Sequence, residues 1–323
     1  MIVKTNGPRP LIVRLRNFVG DTVLGLPALR LLERHGYQLQ LVGKGWAPDL
    51  FAAEGWPVHV RPKKLGDRIK QLRQLRCEAR RLDPDFDRRS NALVFPGAIS
   101  AALDMRLAGL RAEGYAGDGR SWLLARSHPI DMQVHTLRSY WDLSCAFLGI
   151  SESPPASIDF KVSAAQYAQA DALLEQQGIR PGFVLVCPFA NDTIAMVDKT
   201  WPHFPAFVER LVASGQQVLI CPGPNEVEGG RRIYGTALRL EGVGLGVYNA
   251  LLARARLVVS NDTGPAHMAA AVGAPLLSVI GPTPLALWAP WGPNVEIMQR
   301  YPEWFSADEV LARVQQRLHP VAA

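Results

Sequence analysis

The segment 257–293 constrains the fold of this chain most, because it predicts a strand, a polar loop, a helix and a second strand in close succession. The apolar run 257–259 is typical of a buried parallel strand. The alanine-rich run 266–272, closed by Gly273, predicts a helix, and 276–280 predicts the next strand. Such a βαβ unit places the loops after both strands on one edge of a sheet, where open α/β sheets bind ligands.

The loop of this unit concentrates groups that can bind an anion. Asp262 or Thr263 can cap the helix, and Pro265 suits its first turn, where an N–H is not needed. The free amides of that turn, at the positive end of the helix dipole, predict an anion site. An ordinary turn would explain the glycine and proline alone. A binding site is favoured because four suitable groups lie within one turn. They are the carboxylate of Asp262, the hydroxyl of Thr263, the glycine backbone at Gly264 and the imidazole of His267.

Length and composition predict a globular protein. The chain has 323 residues, of which 48% are hydrophobic and 20% charged, enough for two domains with their own cores. Its net charge of +6 favours an acidic partner without specifying one. The start has no signal-peptide pattern, and prolines break the longest uncharged run, so we expect a cytoplasmic protein without a membrane-spanning helix. The four scattered cysteines predict neither a zinc site nor disulfides.

A second strand-to-helix turn lies near the start of the chain. The apolar run 11–15 predicts a strand, the loop 16–21 follows, and a helix is predicted up to Gly36. Asp21 therefore has the same topological position as Asp262. Two interpretations are open for Asp21: a helix N-cap, which the local pattern favours, or a carboxylate above the sheet edge that can accept a proton.

The second half of the chain contains two further loops of interest. The run 183–187 predicts a buried strand, followed by the polar loop 191–193 and by the motif Lys-Thr-Trp-Pro at 199–202. The run 218–221 predicts another strand, which ends in a loop that contains Glu226. All of these loops follow strands, so we expect them at the same edge of a second sheet.

Together these motifs resemble those of glycosyltransferase family nine, the bacterial lipopolysaccharide heptosyltransferases, with closer likeness to the heptosyltransferase II type. The likeness rests on Gly20-Asp21 before a helix with the sequence L-P-A-L, on the K-T-W-P motif, and on D-T-G-x-x-H at 262–267. The resemblance implies an α/β protein of the GT-B class, with two doubly wound Rossmann-like domains that face a central cleft.

The resemblance also suggests a division of labour between domains. We expect an N-terminal acceptor-binding domain at residues 1–160 and a C-terminal nucleotide-sugar-binding domain at 161–303, joined near the Ser- and Pro-rich segment 151–158. A capping box of the form S-x-x-E predicts a last helix within 304–323, which could pack back on the first domain.

Individual roles follow from the resemblance. Asp21 corresponds to the family's proposed catalytic base, and Lys199 to the lysine that meets the donor's phosphates and assists the leaving group. The expected donor-binding residues are Asn191, Asp192, Thr193, Lys199, Glu226, Asp262, Thr263, Gly264, Pro265 and His267. The expected acceptor-binding residues are Arg16, Gly20 and Arg120. Which of residues 191–193 contacts phosphate is left open, and neither a metal nor a cofactor is expected.

Residues Arg61 to Arg89 are strongly basic, and their leucines and isoleucine keep helical spacing. A solvated helix face explains most of these charges, but a basic amphipathic helix can also lie on an anionic surface. Both interpretations stay open; the second would place the protein peripherally at the inner membrane. No recognition motif for nucleic acid accompanies the patch, so we expect no nucleic-acid partner. Turn chemistry explains the acidic segment 83–87 without a metal.

The function that the resemblance implies is inverting, metal-independent transfer of heptose from ADP-heptose to an inner-core lipopolysaccharide acceptor. Ser100 stands where the family has a lysine, so the acceptor is the least defined part. Transfer of another sugar and glycosylation of a protein are alternatives within the family. A non-catalytic nucleotide-binding protein of lipopolysaccharide assembly is an alternative of another class.

Overall fold

The computed structural model describes residues 7–190, 193–194 and 197–319. The chain divides into two units between Pro155 and Ala156, a few residues before the boundary expected from the sequence and within the Ser- and Pro-rich segment. Each unit contains a parallel sheet with helices connecting its strands. The predicted α/β class with a doubly wound sheet in each half is confirmed.

The first unit is built on a parallel sheet that has six strands within the described residues. In chain order these strands are β1 (Arg9–Arg14), β2 (Tyr37–Gly43), β3 (Val58–Val60), β4 (Ala92–Val94), β5 (Ala112–Tyr115) and β6 (Arg126–His128). They are arranged in the order β3-β2-β1-β4-β5-β6. The last residue of β1, Arg14, is in register with Val42 on one side and Val94 on the other, so it lies where the strand order reverses.

The helices of the first unit are α1 (Val19–Leu24), α2 (Leu26–Arg34), α3 (Ala47–Leu50), α4 (Leu65–Leu82), α5 (Ile99–Leu107) and α6 (Thr136–Leu148). The sequence predicts one helix after the first loop, but the structure has two, which meet at Gly25. Pro27 has no N–H, so it cannot continue the helical hydrogen bonds of α1. The Gly25 N–H donates to the carbonyl of Asp21 at 3.2 Å and closes α1.

The second unit repeats this plan. Its parallel strands, as far as the structure describes them, are β7 (Val184–Cys187), β10 (Val218–Ile220), β11 (Leu238–Arg239), β12 (Leu257–Ser260), β13 (Leu276–Ile280) and β14 (Val295–Gln299). Two short antiparallel strands lie outside this sheet, β8 (Thr193–Ile194) and β9 (Val197–Asp198). The helices are α7 (Ala164–Gln176), α8 (Phe204–Ala213), α9 (Val227–Ile233), α10 (Leu245–Arg254), α11 (Gly264–Ala271), α12 (Leu285–Trp288) and α13 (Ala307–Leu318).

In both sheets the strand order reverses at one point: the second and third strands lie on one side of the first strand, and the later strands lie on the other side. The second sheet has the order β11-β10-β7-β12-β13-β14, which is the same pattern as in the first sheet. In each sheet the first strand of the unit is flanked by the second and the fourth, the arrangement of Rossmann-like domains. The loops after β1 and β4, and after β7 and β12, therefore border the position where such sheets bind ligands.

The last helix belongs to the second unit. Its predicted capping box is confirmed: the Glu309 N–H donates to Ser306 Oγ at 3.3 Å, and the Ser306 N–H donates to Glu309 Oε2 at 2.8 Å. Val310, Val314 and Leu318 are buried in the core around α8, β7 and β10. The apolar face of this helix completes the core of the second unit, and its packing on the first domain stays a prediction.

We expect the capping box to make stability depend on acidic pH. Hydrogen bonds from Arg300 and Ser306 lower the pKa of Glu309 from 4.5 to about 2, so its stabilisation is complete above pH 4.5 and is lost as the pH falls towards 2. Glu309→Gln should therefore melt below wild type at neutral pH, and this difference should vanish near pH 2. Thermal melts across this range measure it. Glu303→Gln, an exposed neighbour outside the capping box, is the control; a difference that persists unchanged near pH 2 would contradict the prediction.

Candidate functional site

Asp21 lies in the first turn of α1, directly after the loop that follows β1. The N-cap of this helix is Phe18, so the N-cap interpretation of Asp21 is wrong. Its carboxylate is nearly buried, and Oδ2 accepts a hydrogen bond from Arg16 Nε at 3.2 Å. Gly20, also predicted to contact the acceptor, is buried beside it in α1. The structure thus brings Arg16, Gly20 and Asp21 together at the edge where the strand order reverses.

Tyr140 of α6 completes the surroundings of this carboxylate. The Tyr140 side chain is buried and stacks on Phe95 with 5.0 Å between ring centroids. Burial and the charge of Asp21 raise the pKa of Tyr140, so its hydroxyl stays protonated. Burial tends to lower the pKa of Arg16, but the Asp21 carboxylate opposes this through its charge and its hydrogen bond, and the pKa is raised. Asp21 therefore has a cation as its hydrogen-bond partner, and its charge acts on a neutral phenol nearby.

Arg120 has a different environment from the one expected of an anion-binding residue. Its side chain is fully buried, Nε donates to the carbonyl of Tyr115 at 2.8 Å, and Nη1 donates to the carbonyls of Pro96 at 2.5 Å and Ala98 at 3.5 Å. Burial lowers the pKa of Arg120. The guanidinium therefore fixes the loop after β4, beside the reversal point. Direct contact of Arg120 with an acceptor stays a prediction.

Arg14 forms a positive group that the sequence does not reveal. It is buried, and its Nη2 donates to Asn17 Oδ1 at 3.0 Å. Burial and the nearby Arg61 lower the pKa of Arg14 to about 10, against the opposing effect of Asp104. Asp104 itself holds Arg68 through two hydrogen bonds of 2.7 and 3.2 Å. Three guanidinium groups and one carboxylate thus make this edge of the sheet attractive to anions.

The basic segment 61–89 is largely α4, and several of its arginines have carboxylate partners in the acidic turn that follows. The pairs are Arg76–Asp87, Arg80–Asp87, Arg88–Asp85 and Arg89–Asp83. These aspartates therefore serve as arginine partners at the end of α4. Within the described ranges, no helix is both long and apolar enough to cross a membrane.

Asp262 is the centre of the polar group in the second unit. It follows β12 and is buried, and its Oδ2 accepts hydrogen bonds from Thr283 Oγ1 at 2.6 Å and from Lys199 Nζ at 3.3 Å. His267 Nε2 lies 3.9 Å from Oδ1. The structure thus brings together three residues predicted from the sequence, Lys199, Asp262 and His267. Thr283 lies on the loop after β13 and is not among the donor-binding residues expected from the sequence.

The start of α11 offers fewer amides than the sequence suggests. Thr263 is the N-cap, but neither its side chain nor that of Asp262 caps the helix. Thr263 Oγ1 is buried and has no partner among the described residues. Pro265 has no N–H, and the Ala266 N–H donates to the Thr263 carbonyl at 3.1 Å. Among the described residues, the N–H groups of Thr263 and Gly264 are the ones left in this turn to meet an anion.

Asn261 connects three segments of this unit by hydrogen bonds: the loops after β7 and β12 and the K-T-W-P segment. It is fully buried; its Oδ1 accepts from the Trp201 N–H at 2.9 Å, and its Nδ2 donates to the Pro188 carbonyl at 2.7 Å. Trp201, also fully buried, donates through Nε1 to the Phe305 carbonyl at 2.7 Å. Asn261 therefore sets the K-T-W-P segment, and with it Lys199, against the loop after β12. No pattern in the sequence indicated this role, because both partners of Asn261 are backbone groups.

Of the remaining predicted donor residues, Glu226 lies at the same edge of the sheet. Glu226 follows β10, and its Oε2 accepts from the Gly223 N–H at 2.8 Å, which braces its own loop. Thr193 lies in β8, but its side chain is outside the described part of the structure. Asn191 and Asp192 also lie outside the described residues.

Two Rossmann-like sheets, each with charged side chains at its reversal point, are typical of α/β proteins that bind nucleotides. Comparison with known proteins defines the family. A family model for glycosyltransferase family 9 (heptosyltransferase) matches residues 80–317. Because this match spans most of the sequence, the chain belongs to glycosyltransferase family 9.

Related proteins carry lipopolysaccharide heptosyltransferase names. Lipopolysaccharide heptosyltransferase 3 of Escherichia coli is 30% identical over 132 residues, which is 38% of this chain and 38% of that relative. Lipopolysaccharide heptosyltransferase 2 of Escherichia coli strain K12 is 24% identical over 296 residues, 83% of this chain and 81% of the relative. The first match therefore covers less than half of either protein, whereas the second covers most of both.

Solved structures show the same fold. The structure of E. coli ADP-heptose LPS heptosyltransferase II has a TM-score of 0.79 at 20% identity and covers 96% of this chain and 98% of its own. The structure of E. coli heptosyltransferase WaaC with ADP has a TM-score of 0.69 at 21% identity, with coverage of 95% and 99%. At these identities the likeness shows the fold alone, and it confirms the expected GT-B class.

We expect Asn261→Ala to destabilise the second unit by about 2–6 kcal/mol, because two buried backbone groups lose their partner at about 1–3 kcal/mol each. Chemical denaturation measures the change in the free energy of unfolding. Asn225→Ala is the matched control, since Asn225 is exposed in a neighbouring loop and should change this free energy by less than about 0.5 kcal/mol. Equal effects of the two substitutions would show that Asn261 does not hold these segments.

Proposed function

We propose that the protein is an inverting glycosyltransferase that moves heptose from ADP-heptose to an inner-core lipopolysaccharide acceptor without a metal ion. The observation that carries the proposal is the buried Lys199–Asp262 pair beside the start of α11, on the two motifs that most resemble the family's donor site. Membership of family 9 and relatives named lipopolysaccharide heptosyltransferases support it. ADP and ADP-2-deoxy-2-fluoro heptose, named in structures of E. coli WaaC, support the choice of donor.

On the donor side, the ammonium group of Lys199 and the N–H groups of Thr263 and Gly264 bind the diphosphate. When the bond between the anomeric carbon and the diphosphate breaks, negative charge grows on the leaving oxygen. Fixed donors and a cation placed at that oxygen stabilise the charge. Glu226 contacts the ribose, while Pro265 and His267 shape the same end of the site. One of residues 191–193 completes the phosphate contacts.

On the acceptor side, Asp21 is the general base. The acceptor hydroxyl attacks the anomeric carbon, its proton passes to the Asp21 carboxylate, and the bond to the diphosphate breaks on the opposite face, which inverts the configuration. The neighbouring Arg16 favours the ionised carboxylate at neutral pH, because an opposite charge stabilises the charged form. Arg16 and Gly20 border the acceptor, and Arg120 holds the loop after β4 that faces it.

The charge of the first unit supports an anionic acceptor. Arg14, Arg61 and Arg68 leave a surplus of positive charge at the sheet edge that also holds Asp21. An acceptor that carries phosphate or carboxylate groups would be attracted to this edge. Contact of residues 61–89 with a membrane surface stays a prediction, and the ion pairs along α4 weaken its electrostatic basis.

We expect ADP to stabilise the protein and GDP and UDP to do so much less. A ligand at 100 times its Kd adds about 2.7 kcal/mol to the free energy of unfolding of the protein that binds it. Thermal shift at equal ligand concentrations measures this. A shift with GDP or UDP alone would favour another sugar donor, and no shift with any of the three would favour the non-catalytic alternative.

We expect Asp21→Asn to lower kcat by about 10²–10⁴-fold, because the amide cannot accept the acceptor's proton. The affinity for ADP should change less than about twofold, or about 0.4 kcal/mol, because Asp21 is assigned to the acceptor side. A transfer assay and calorimetric titration measure the two quantities. Asp49→Asn, at an exposed position of the same unit, should change neither. Retained turnover in Asp21→Asn would remove the base from the mechanism.

A further inference from the structure

Two donors share one oxygen of Asp262. Thr283 Oγ1 donates to Oδ2 at 2.6 Å, and Lys199 Nζ lies 3.3 Å from the same oxygen. All three side chains are largely buried. The shorter contact belongs to the hydroxyl, so the neutral donor holds the carboxylate more closely than the cation does.

The backbone around Thr283 is fixed independently of this bond. Gln299 of β14 donates through Nε2 to the carbonyls of Gly281 at 2.8 Å and Thr283 at 2.9 Å. A Cβ at Gly281 would lie 2.2 Å from Trp304 Cη2, so the indole packs directly on the loop. The hydroxyl is therefore presented to Asp262 by a loop with its own supports.

This arrangement bears on how Lys199 can serve a diphosphate. In the proposed function the ammonium group turns towards the phosphates, which weakens its pairing with Asp262. A buried carboxylate that loses its only partner is strongly disfavoured. A second donor on the same oxygen reduces that penalty, and a hydroxyl can supply it without adding a charge that would compete for the phosphates.

We propose that Thr283 is a positioning residue that holds the ionised Asp262 in place while Lys199 engages the donor's diphosphate. The inference rests on the proposed function and deepens it. Thr283 itself touches no part of the nucleotide. Its effect passes through Asp262 to Lys199, so it should act on the phosphate-dependent part of nucleotide binding and leave the nucleoside-dependent part unchanged.

The test compares ADP and adenosine by calorimetric titration. Thr283→Val keeps the shape of the side chain but removes the hydroxyl, and it should weaken ADP binding about tenfold, the effect of one hydrogen bond to a charged group. Its affinity for adenosine should match that of wild type. Thr283→Ser retains the hydroxyl and should restore ADP binding. Thr283→Ala is the second variant without a hydroxyl, for use if the valine protein does not fold.

Coupling to Lys199 gives a second readout that a purely structural role would not produce. In a Lys199→Met background, loss of the Thr283 hydroxyl should change the affinity for ADP less than about twofold, because the lysine it assists is gone. Such a double-mutant cycle would show that the loss of ADP affinity in the Thr283 variants depends on Lys199.

Each other outcome counts against the inference. Equal weakening of ADP and adenosine would make Thr283 a loop-stabilising residue only. Unchanged ADP affinity in Thr283→Val, with wild type binding ADP, would overturn the role of Thr283 but leave the proposed function intact. A wild-type protein that does not bind ADP would overturn both.

Discussion

The reversal of strand order is the constraint on which both sites depend. In a parallel sheet the connecting helices cover the two faces, and at the reversal point the neighbouring connections leave in opposite directions. Backbone groups at the strand ends are open there, and charged side chains can approach them. Arg14 and Asp21 border that point in the first unit, as Asn261 and Asp262 do in the second. The strand order of each unit therefore determines where its charged side chains lie.

The sequence was sufficient for the architecture and for the polar residues that carry local motifs. Apolar runs ending in loops predicted β1, β7, β10, β12 and β13, and the S-x-x-E pattern predicted the start of the last helix. Lys199 and Asp262 were predicted from separate motifs, and the structure brings them to 3.3 Å. The capping box could be predicted because its sequence pattern and its hydrogen bonds lie within the same four residues. Lys199 and Asp262 could be predicted to lie close together because both follow strands of one parallel sheet, whose carboxyl ends share an edge.

Other features could not be predicted because their partners are distant in sequence or are backbone groups. The charge of Asp21 acts on Tyr140, which lies on another helix, and Arg120 is bound by three carbonyls, which any residue can offer. The local pattern favoured an N-cap role for Asp21, yet the helix begins earlier and the carboxylate turns to Arg16. Pro27 was recognised, but its effect, a division of one helix into two at Gly25, depends on how the chain packs.

The segment just before α13 connects the proposed donor site to the last helix. The Phe305 carbonyl accepts the indole N–H of Trp201, and the indole of Trp304 packs on Gly281, one loop away from Asp262. The loops that carry Lys199 and Thr283 thus contact two adjacent residues far along the sequence, Phe305 and Trp304. A chain shortened ahead of them would keep every donor residue and still lose the arrangement that makes those residues a site.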